Sequence, residues 1–317
     1  MKKSKIIPVI FLIALLVIVA IYYIFPGVSF KFLIKAERSI AGLKPNNITI
    51  EGFDIQYLEG GQGDVILLLH GFGANKDNWT RFSKHLTPHF RVVAPDLPGF
   101  GESTRGAAAD YTISVQADRI HAFADALELK AFHLGGNSMG GNIAGVYAAR
   151  YPKNVISLCL IAPGGVVSAE TSEMFQNINA GKPNPLIVER PEEYNALLDF
   201  VFVKRPFIPG AIKHYLTEEA IKHRPLNMVI FQHIQKFKTT SSLESLLNKF
   251  TVPTLIIWGK KDRVLHFSGA KILGSIMPNA QVEVVEEMGH LPMIERPKEM
   301  AEIYLRFLNA IIEVPHK

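Results

Sequence analysis

The stretch Ala131-Phe132-His133-Leu134-Gly135-Gly136-Asn137-Ser138-Met139-Gly140-Gly141-Asn142-Ile143-Ala144-Gly145 decides the fold. It reads as a strand, a sharp turn and then a helix whose small residues Gly140, Gly141, Ala144 and Gly145 permit close approach to a sheet. In Gly136-x-Ser138-x-Gly140 the turn places a serine where few backbones fit, and glycines two before and two after relieve the crowding. Such a turn holds the serine oxygen out above the sheet. Ser138 is therefore the candidate nucleophile.

Outward from this stretch, short aliphatic runs alternate with helical patterns, the mark of a mostly parallel sheet covered on both faces. Strands are expected at 53–59, 65–69, 91–94, 131–135, 155–161, 254–258 and 281–285, and helices at 113–127, 139–151, near 268–276 and at 298–312. Between residues 164 and 249 the rhythm is lost to helical stretches interrupted by Pro183, Pro185, Pro191, Pro206, Pro209 and Pro225. The expected fold class is α/β, a doubly wound sheet with an inserted helical cap. Residues 46–164 and 250–317 form the two parts of the core, 165–249 the cap, and 1–45 a membrane anchor with a juxtamembrane helix.

A serine hydroxyl needs a base, and histidine, with an ordinary pKa of about 6.5, serves at neutral pH. Of the 11 histidines, His290 in Met288-Gly289-His290-Leu291-Pro292 lies just past the last expected strand, at the carboxyl edge of the sheet. His70 also follows a strand but precedes the serine, which fits a structural role in the loop His70-Gly71-Phe72-Gly73. His214, His223 and His233 match no metal-ligand spacing. The carboxylate that orients the histidine is assigned to Asp262, which follows a strand and completes the order Ser, Asp, His. Asp96 ends a strand upstream and fits a bracing role. Two backbone N–H groups must hold the oxyanion, and Phe72 and Met139 are placed to supply them. No cofactor and no metal is expected. Phe200, Phe202 and Phe207 of the cap are candidates for an acyl-chain site, with core packing as the competing explanation.

The net charge of +5 is confined to the front of the chain. Residues 1–38 hold Lys2, Lys3, Lys5, Lys31, Lys35 and Arg38 against Glu37 alone, and the remainder carries 28 residues of each sign. Nucleic-acid binding thus loses its compositional support. Cys159 is the one cysteine, so no internal disulfide forms, and its apolar run at 155–161 makes it an inert core thiol.

Residues 6–25 contain no charged side chain. At about 1.5 Å per residue they can cross a hydrocarbon core of roughly 30 Å, which suits a single N-terminal transmembrane helix. Tyr22 and Tyr23 lie at its end, where amphipathic rings favour the interface. A cleaved signal peptide is the alternative, although the run is long for one and Ile18-Val19-Ala20 has a bulky residue where a small one is needed. In the segment 30–38, Phe30, Leu33 and Ile34 share a helical face with the basic groups largely on another. That pattern suits a helix in the headgroup layer, or one packed on the core.

With these residues assembled, the chain resembles the α/β-hydrolase superfamily, and more closely the bacterial family V lipases and the membrane-anchored monoacylglycerol lipases. The resemblance rests on Leu69-His70-Gly71-Phe72-Gly73-Ala74-Asn75-Lys76-Asp77-Asn78-Trp79, Gly135 to Gly141, Ile257-Trp258-Gly259-Lys260-Lys261-Asp262 and Gly289-His290. Asn184-Pro185-Leu186 and Asp199-Phe200-Val201 are similar to the cap of the bacterial lipases. It implies cofactor-free hydrolysis of acylglycerols or other fatty-acyl esters, with a lipid ester and the bilayer as partners, and an address on the bacterial inner membrane or, after cleavage, secretion. A carbon–carbon bond hydrolase of ring-cleavage products is the alternative enzyme, its nucleophile turn also reading Gly-Asn-Ser-Met-Gly-Gly. That family usually has an aromatic residue after the histidine and a Gly-Pro-Gly oxyanion loop, from which Leu291 and Gly73-Ala74-Asn75 depart. A silent hydrolase fold kept as a binding module is the alternative from another class. Its usual sign is loss of a triad residue, and here every position is filled.

Overall fold

The computed structural model describes residues 10–11, 13, 16, 19–106, 108–236 and 242–312. Eight strands form one sheet: β1 (Leu43–Ile50), β2 (Phe53–Gly60), β3 (Val65–Leu69), β4 (Arg91–Pro95), β5 (Phe132–Asn137), β6 (Val155–Ile161), β7 (Thr254–Gly259) and β8 (Ala280–Val285). Their order is β1-β2-β4-β3-β5-β6-β7-β8. β2 pairs antiparallel with both β1 and β4, and every other pairing is parallel. The sheet is therefore mostly parallel, as expected.

β1 is an addition to the sequence reading, and it straddles the boundary expected at residue 46. Pro45, Asn46 and Asn47 lower its strand signal, and it forms at the sheet margin, where a missing N–H is tolerated. The central strands are buried on both faces. Along β3, Leu67 and Leu69 join one core and Ile66 and Leu68 the other, following the two-residue alternation of a strand.

After the helical positions that end at residue 24, the helices with described bounds are, in chain order, α1 (Pro26–Ile40), α2 (Thr80–Ser83), α3 (Ile113–Ala126) and α4 (Met139–Arg150). Between β6 and β7 come α5 (Glu173–Asn179), α6 (Glu193–Val201), α7 (Gly210–Gln235) and α8 (Leu243–Leu246). α9 (Ser268–Ile276), α10 (Pro292–Glu295) and α11 (Pro297–Ile312) complete the set. α3 and α4 cover one face with Ile120, Phe123, Ile143 and Tyr147, and α11 covers the other with Tyr304, Phe307 and Leu308.

Pro225 was expected to break a helix, yet it lies inside the 26-residue α7. Its ring forfeits one backbone hydrogen bond. Packing at both ends offsets that loss: Tyr215 against Phe30 of α1, and Phe231 against Phe72. Arg38, placed with the basic face of α1, turns to the core instead, where it donates twice to Asp77 at 2.7 Å.

The expected anchor at 6–25 lies partly outside the described residues, which omit 6–9, 12, 14, 15, 17 and 18. Its described positions 10, 11, 13, 16 and 19–24 are helical. Among the described residues no helix is long and apolar enough to cross a membrane.

Candidate active site

Ser138 links β5 to α4 at φ 56° and ψ −117°, in the left-handed half of backbone space that side chains rarely adopt. A Cβ on Gly136 would fall 2.2 Å from the Gly140 carbonyl oxygen, and one on Gly140 would fall 2.3 Å from the Leu69 oxygen. Both glycines are thus demanded by close backbone approach. The turn is pinned by Ser138 N–H donating to Ile161 O at 3.0 Å, and by Asn142 N–H and Gly164 N–H donating to Ser138 O.

Asp262 follows β7 and His290 follows β8, so both stand with Ser138 at the carboxyl edge. His290 Nδ1 and Asp262 Oδ2 are 2.7 Å apart. The other carboxylate oxygen, Oδ1, accepts from Val264 N–H and Leu265 N–H at 2.8 and 3.0 Å, which fixes the plane of the group. All three candidate side chains are largely covered, with 9, 6 and 4% of Ser138, Asp262 and His290 exposed. With Nδ1 facing the carboxylate, Nε2 is the ring nitrogen on the side away from it.

Asn137, quoted in the sequence only as part of the serine turn, joins the two halves of the site. Its Nδ2 donates to Ile161 O at 3.1 Å and to His290 O at 3.2 Å. The loop of His290 is also held from its far side, by His290 N–H donating to Val201 O at 2.9 Å. The carboxylate of Glu295 accepts from the N–H groups of Gly289, Val203 and Lys204. Sequence reasoning missed both residues. Asn137 carried a signal, since it sits inside the motif, but its partner lies 153 residues away.

Met139 opens α4 directly after Ser138, and Gly71, next to Phe72, lies against the serine turn, where a Cβ would fall 3.2 Å from the Ser138 Cβ. The Phe72 ring lies edge-on between Phe100 and Phe231, at centroid distances of 5.9 and 5.5 Å. Beneath it, His70 Nε2 accepts from Leu97 N–H at 2.9 Å and Nδ1 lies 2.8 Å from Gly71 O. Burial holds the His70 ring below the usual histidine range, so it remains the neutral tautomer that this pair of contacts needs. Asp96 accepts from Lys76 N–H, Lys76 Nζ and Glu102 N–H at 2.6 to 2.7 Å. The ion pair of Lys76 and Asp96 is fully buried, and it braces the same loop. A lysine in a loop gives no hint of this in sequence.

Among the described residues no group of histidine, cysteine and carboxylate side chains could hold a metal ion. Cys159 is buried, and burial pushes its thiol well up. Phe200 and Phe202 are 7 and 8% exposed and pack with Met174, Leu198 and Val264. Phe207 does not share that cluster: it is 86% exposed.

The sequence model for the alpha/beta hydrolase fold matches residues 64–297. The chain is 36% identical to Lipase 1 of Psychrobacter immobilis, with 88% of each chain covered. It is also 36% identical to monoacylglycerol lipase ABHD6 of Homo sapiens, over 94% of this chain and 92% of that one. Among solved structures, a membrane phospholipase A described as a bacterial virulence factor superposes with a TM-score of 0.89 at 41% identity, covering 99% of this chain and 100% of that one. A meta-cleavage product hydrolase from Pseudomonas fluorescens superposes with a TM-score of 0.73 at 26% identity, covering 84 and 97%. The chain belongs to the alpha/beta hydrolase family.

Proposed function

We propose that the chain is a serine carboxylic-ester hydrolase that cleaves fatty-acyl esters of glycerol through an acyl-enzyme. The observation that carries this reading is the Asp262–His290 pair at 2.7 Å, tied through Asn137 to the strained turn of Ser138. Ser138 Oγ attacks the acyl carbonyl as His290 Nε2 takes its proton. The tetrahedral oxyanion is met by the N–H groups of Phe72 and Met139, each such donor contributing roughly 3 kcal/mol to the transition state. Collapse breaks the ester bond, and His290 returns the proton to the leaving alcohol. Water, deprotonated by His290, then attacks the acyl-enzyme and releases the fatty acid. Asp262 holds the imidazole and stabilises its charged form.

The ester reading is favoured over carbon–carbon cleavage because relatives at 36 to 41% identity across most of the chain carry lipase and phospholipase names, against 26% for the meta-cleavage hydrolase. Monoacylglycerols, triacylglycerols and phospholipids all present the required ester.

Residues 165–249 are read as a cap over the two-part core of 46–164 and 250–317. Residues 1–45 are read as a membrane anchor with its juxtamembrane helix. The uncharged run at 6–25, the helical state of its described positions and the basic residues on both sides support an uncleaved anchor on the bacterial inner membrane. Tethering places the site where lipid esters are concentrated.

Ser138→Ala tests the chemistry. Turnover of a p-nitrophenyl acyl ester should fall by about 10⁴-fold or more with folding intact, and retained turnover would remove Ser138 from the mechanism.

A further inference from the structure

The eight residues from Phe202 to Pro209 join α6 to α7, and the last seven of them read Val203-Lys204-Arg205-Pro206-Phe207-Ile208-Pro209. Among the described residues no large apolar side chain is more exposed than Phe207, at 86%. Pro206 and Pro209 restrict the backbone around it, so the ring is presented at little further entropic cost. Charge is one-sided as well: from Phe200 to Thr217 the chain holds Lys204, Arg205 and Lys213 and no acidic residue. Arg205 is paired with Asp199, and among the described residues the ammonium groups of Lys204 and Lys213 form no ion pair, although the Glu295 carboxylate accepts from the Lys204 backbone N–H.

The position of this loop gives the patch its meaning. Just past it, Ala211 N–H donates to the Tyr22 hydroxyl at 3.2 Å. One turn further on, the Tyr215 ring lies against Gly27, where a Cβ would come within 2.9 Å, and against the Phe30 ring at 5.6 Å. Those contacts join the start of α7, directly after the loop, to the N-terminal helical segments, whose own Tyr23, Phe25 and Phe32 are 57 to 72% exposed. The exposed ring of Phe207 thus lies within four residues of the contact with the segment read as the anchor, with Lys204 and Lys213 on either side of it in the chain.

We propose that the 203–209 loop is a second bilayer-binding element, with Phe207 seated at the interface of a membrane bearing anionic headgroups and Lys204 and Lys213 meeting those headgroups. An aromatic ring gains at that depth what it loses in water, and each nearby lysine adds electrostatic attraction to an anionic surface. The inference rests on the membrane-anchor reading above. It adds an orientation: Val201 O accepts from His290 N–H, and Glu295 ties Val203 and Lys204 to Gly289. A loop docked on the bilayer therefore keeps the His290 segment, and with it the mouth of the site, against the lipid surface.

The test uses the full-length chain in vesicles of phosphatidylcholine with phosphatidylglycerol. Phe207→Trp supplies a reporter, because the native Trp79 and Trp258 are buried in the core and the unsubstituted chain gives the background. The added tryptophan should shift to the blue by about 10 nm and be quenched by lipids brominated near the headgroup. In a second variant, Phe207→Ser with Lys213→Glu, turnover of a long-chain ester embedded in the vesicle should fall by about threefold or more, with a soluble short-chain ester unaffected. A reporter reached by aqueous iodide and not by brominated lipid, in a chain that still sediments with the vesicles, would overturn the loop proposal alone. Equal loss on both esters would overturn it too. Failure of the unsubstituted chain to sediment with vesicles would overturn the anchor reading and this inference together.

Discussion

At Ser138 the backbone holds a conformation that costs of order 1–3 kcal/mol, and it persists because its surroundings over-determine it. Ile161, Gly164 and Asn142 fix the turn by hydrogen bonds, while Gly136 and Gly140 let neighbouring backbones close on it. Asn137 extends this control to the base. Its amide is the donor that both Ile161 O and His290 O face, at 3.1 and 3.2 Å, and a carboxylate there has no proton to give. Asn137→Asp should therefore displace the His290 backbone, and kcat for a soluble ester should drop by about 10- to 100-fold with circular dichroism unchanged. An unaltered kcat would show that the amide only fills space. The strand-end placement of Ser138, Asp262 and His290 and the pairing of the last two were legible because the proposed chemistry asks for one of each, in a fixed order, past the ends of strands. Asn137, Glu295 and Lys76 were not, because their roles arise from partners brought close only by folding.

The strands show the same division between what pattern reveals and what packing adds. Continuous apolar runs identified the buried parallel strands, whereas β1, with Pro45, Asn46 and Asn47, is held by its pairing with β2. The helix continuing through Pro225 likewise depends on contacts at its two ends rather than on propensity. Between β5 and β6 the cross-strand pair of His133 and Ser157 joins Nδ1 and Oγ at 2.8 Å, and the ring is 1% exposed. Burial lowers the pKa of His133 from the ordinary 6.5 to about 4. The unfolded chain thus takes up a proton here before the folded one does. The stability contributed by the neutral ring is complete above about pH 6.5 and is lost as the pH falls from there through about 4. In urea unfolding at pH 7 and pH 4.5, the wild type should lose about 2 kcal/mol more than His133→Gln, whose side chain cannot ionise. Equal losses would place the acid sensitivity elsewhere.

On the scale of the whole molecule, two cores on opposite faces of one sheet bring residues far apart in sequence to a single edge, and the segment between β6 and β7 touches that edge where Val201 O accepts from His290 N–H. Taking an acyl chain out of a bilayer into water costs about 0.8 kcal/mol per CH₂, or roughly 12 kcal/mol for 16 carbons. An enzyme whose site opens at the lipid surface avoids that step, and this is what the anchor, α1 and the 203–209 loop would together provide. Composition pointed to the membrane through the placement of charge, but which part of the β6–β7 segment stays uncovered could not be read from it. Phe200 and Phe207 look alike in sequence, and only packing separates them. The central claim remains that Ser138 carries the acyl group. Its most direct test is peptide mass spectrometry of the full-length chain after reaction with an alkyl fluorophosphonate. The account predicts a single adduct on the peptide containing Ser138, formed in proportion to lost turnover. An adduct on another residue, or turnover persisting when Ser138 is fully modified, would contradict it.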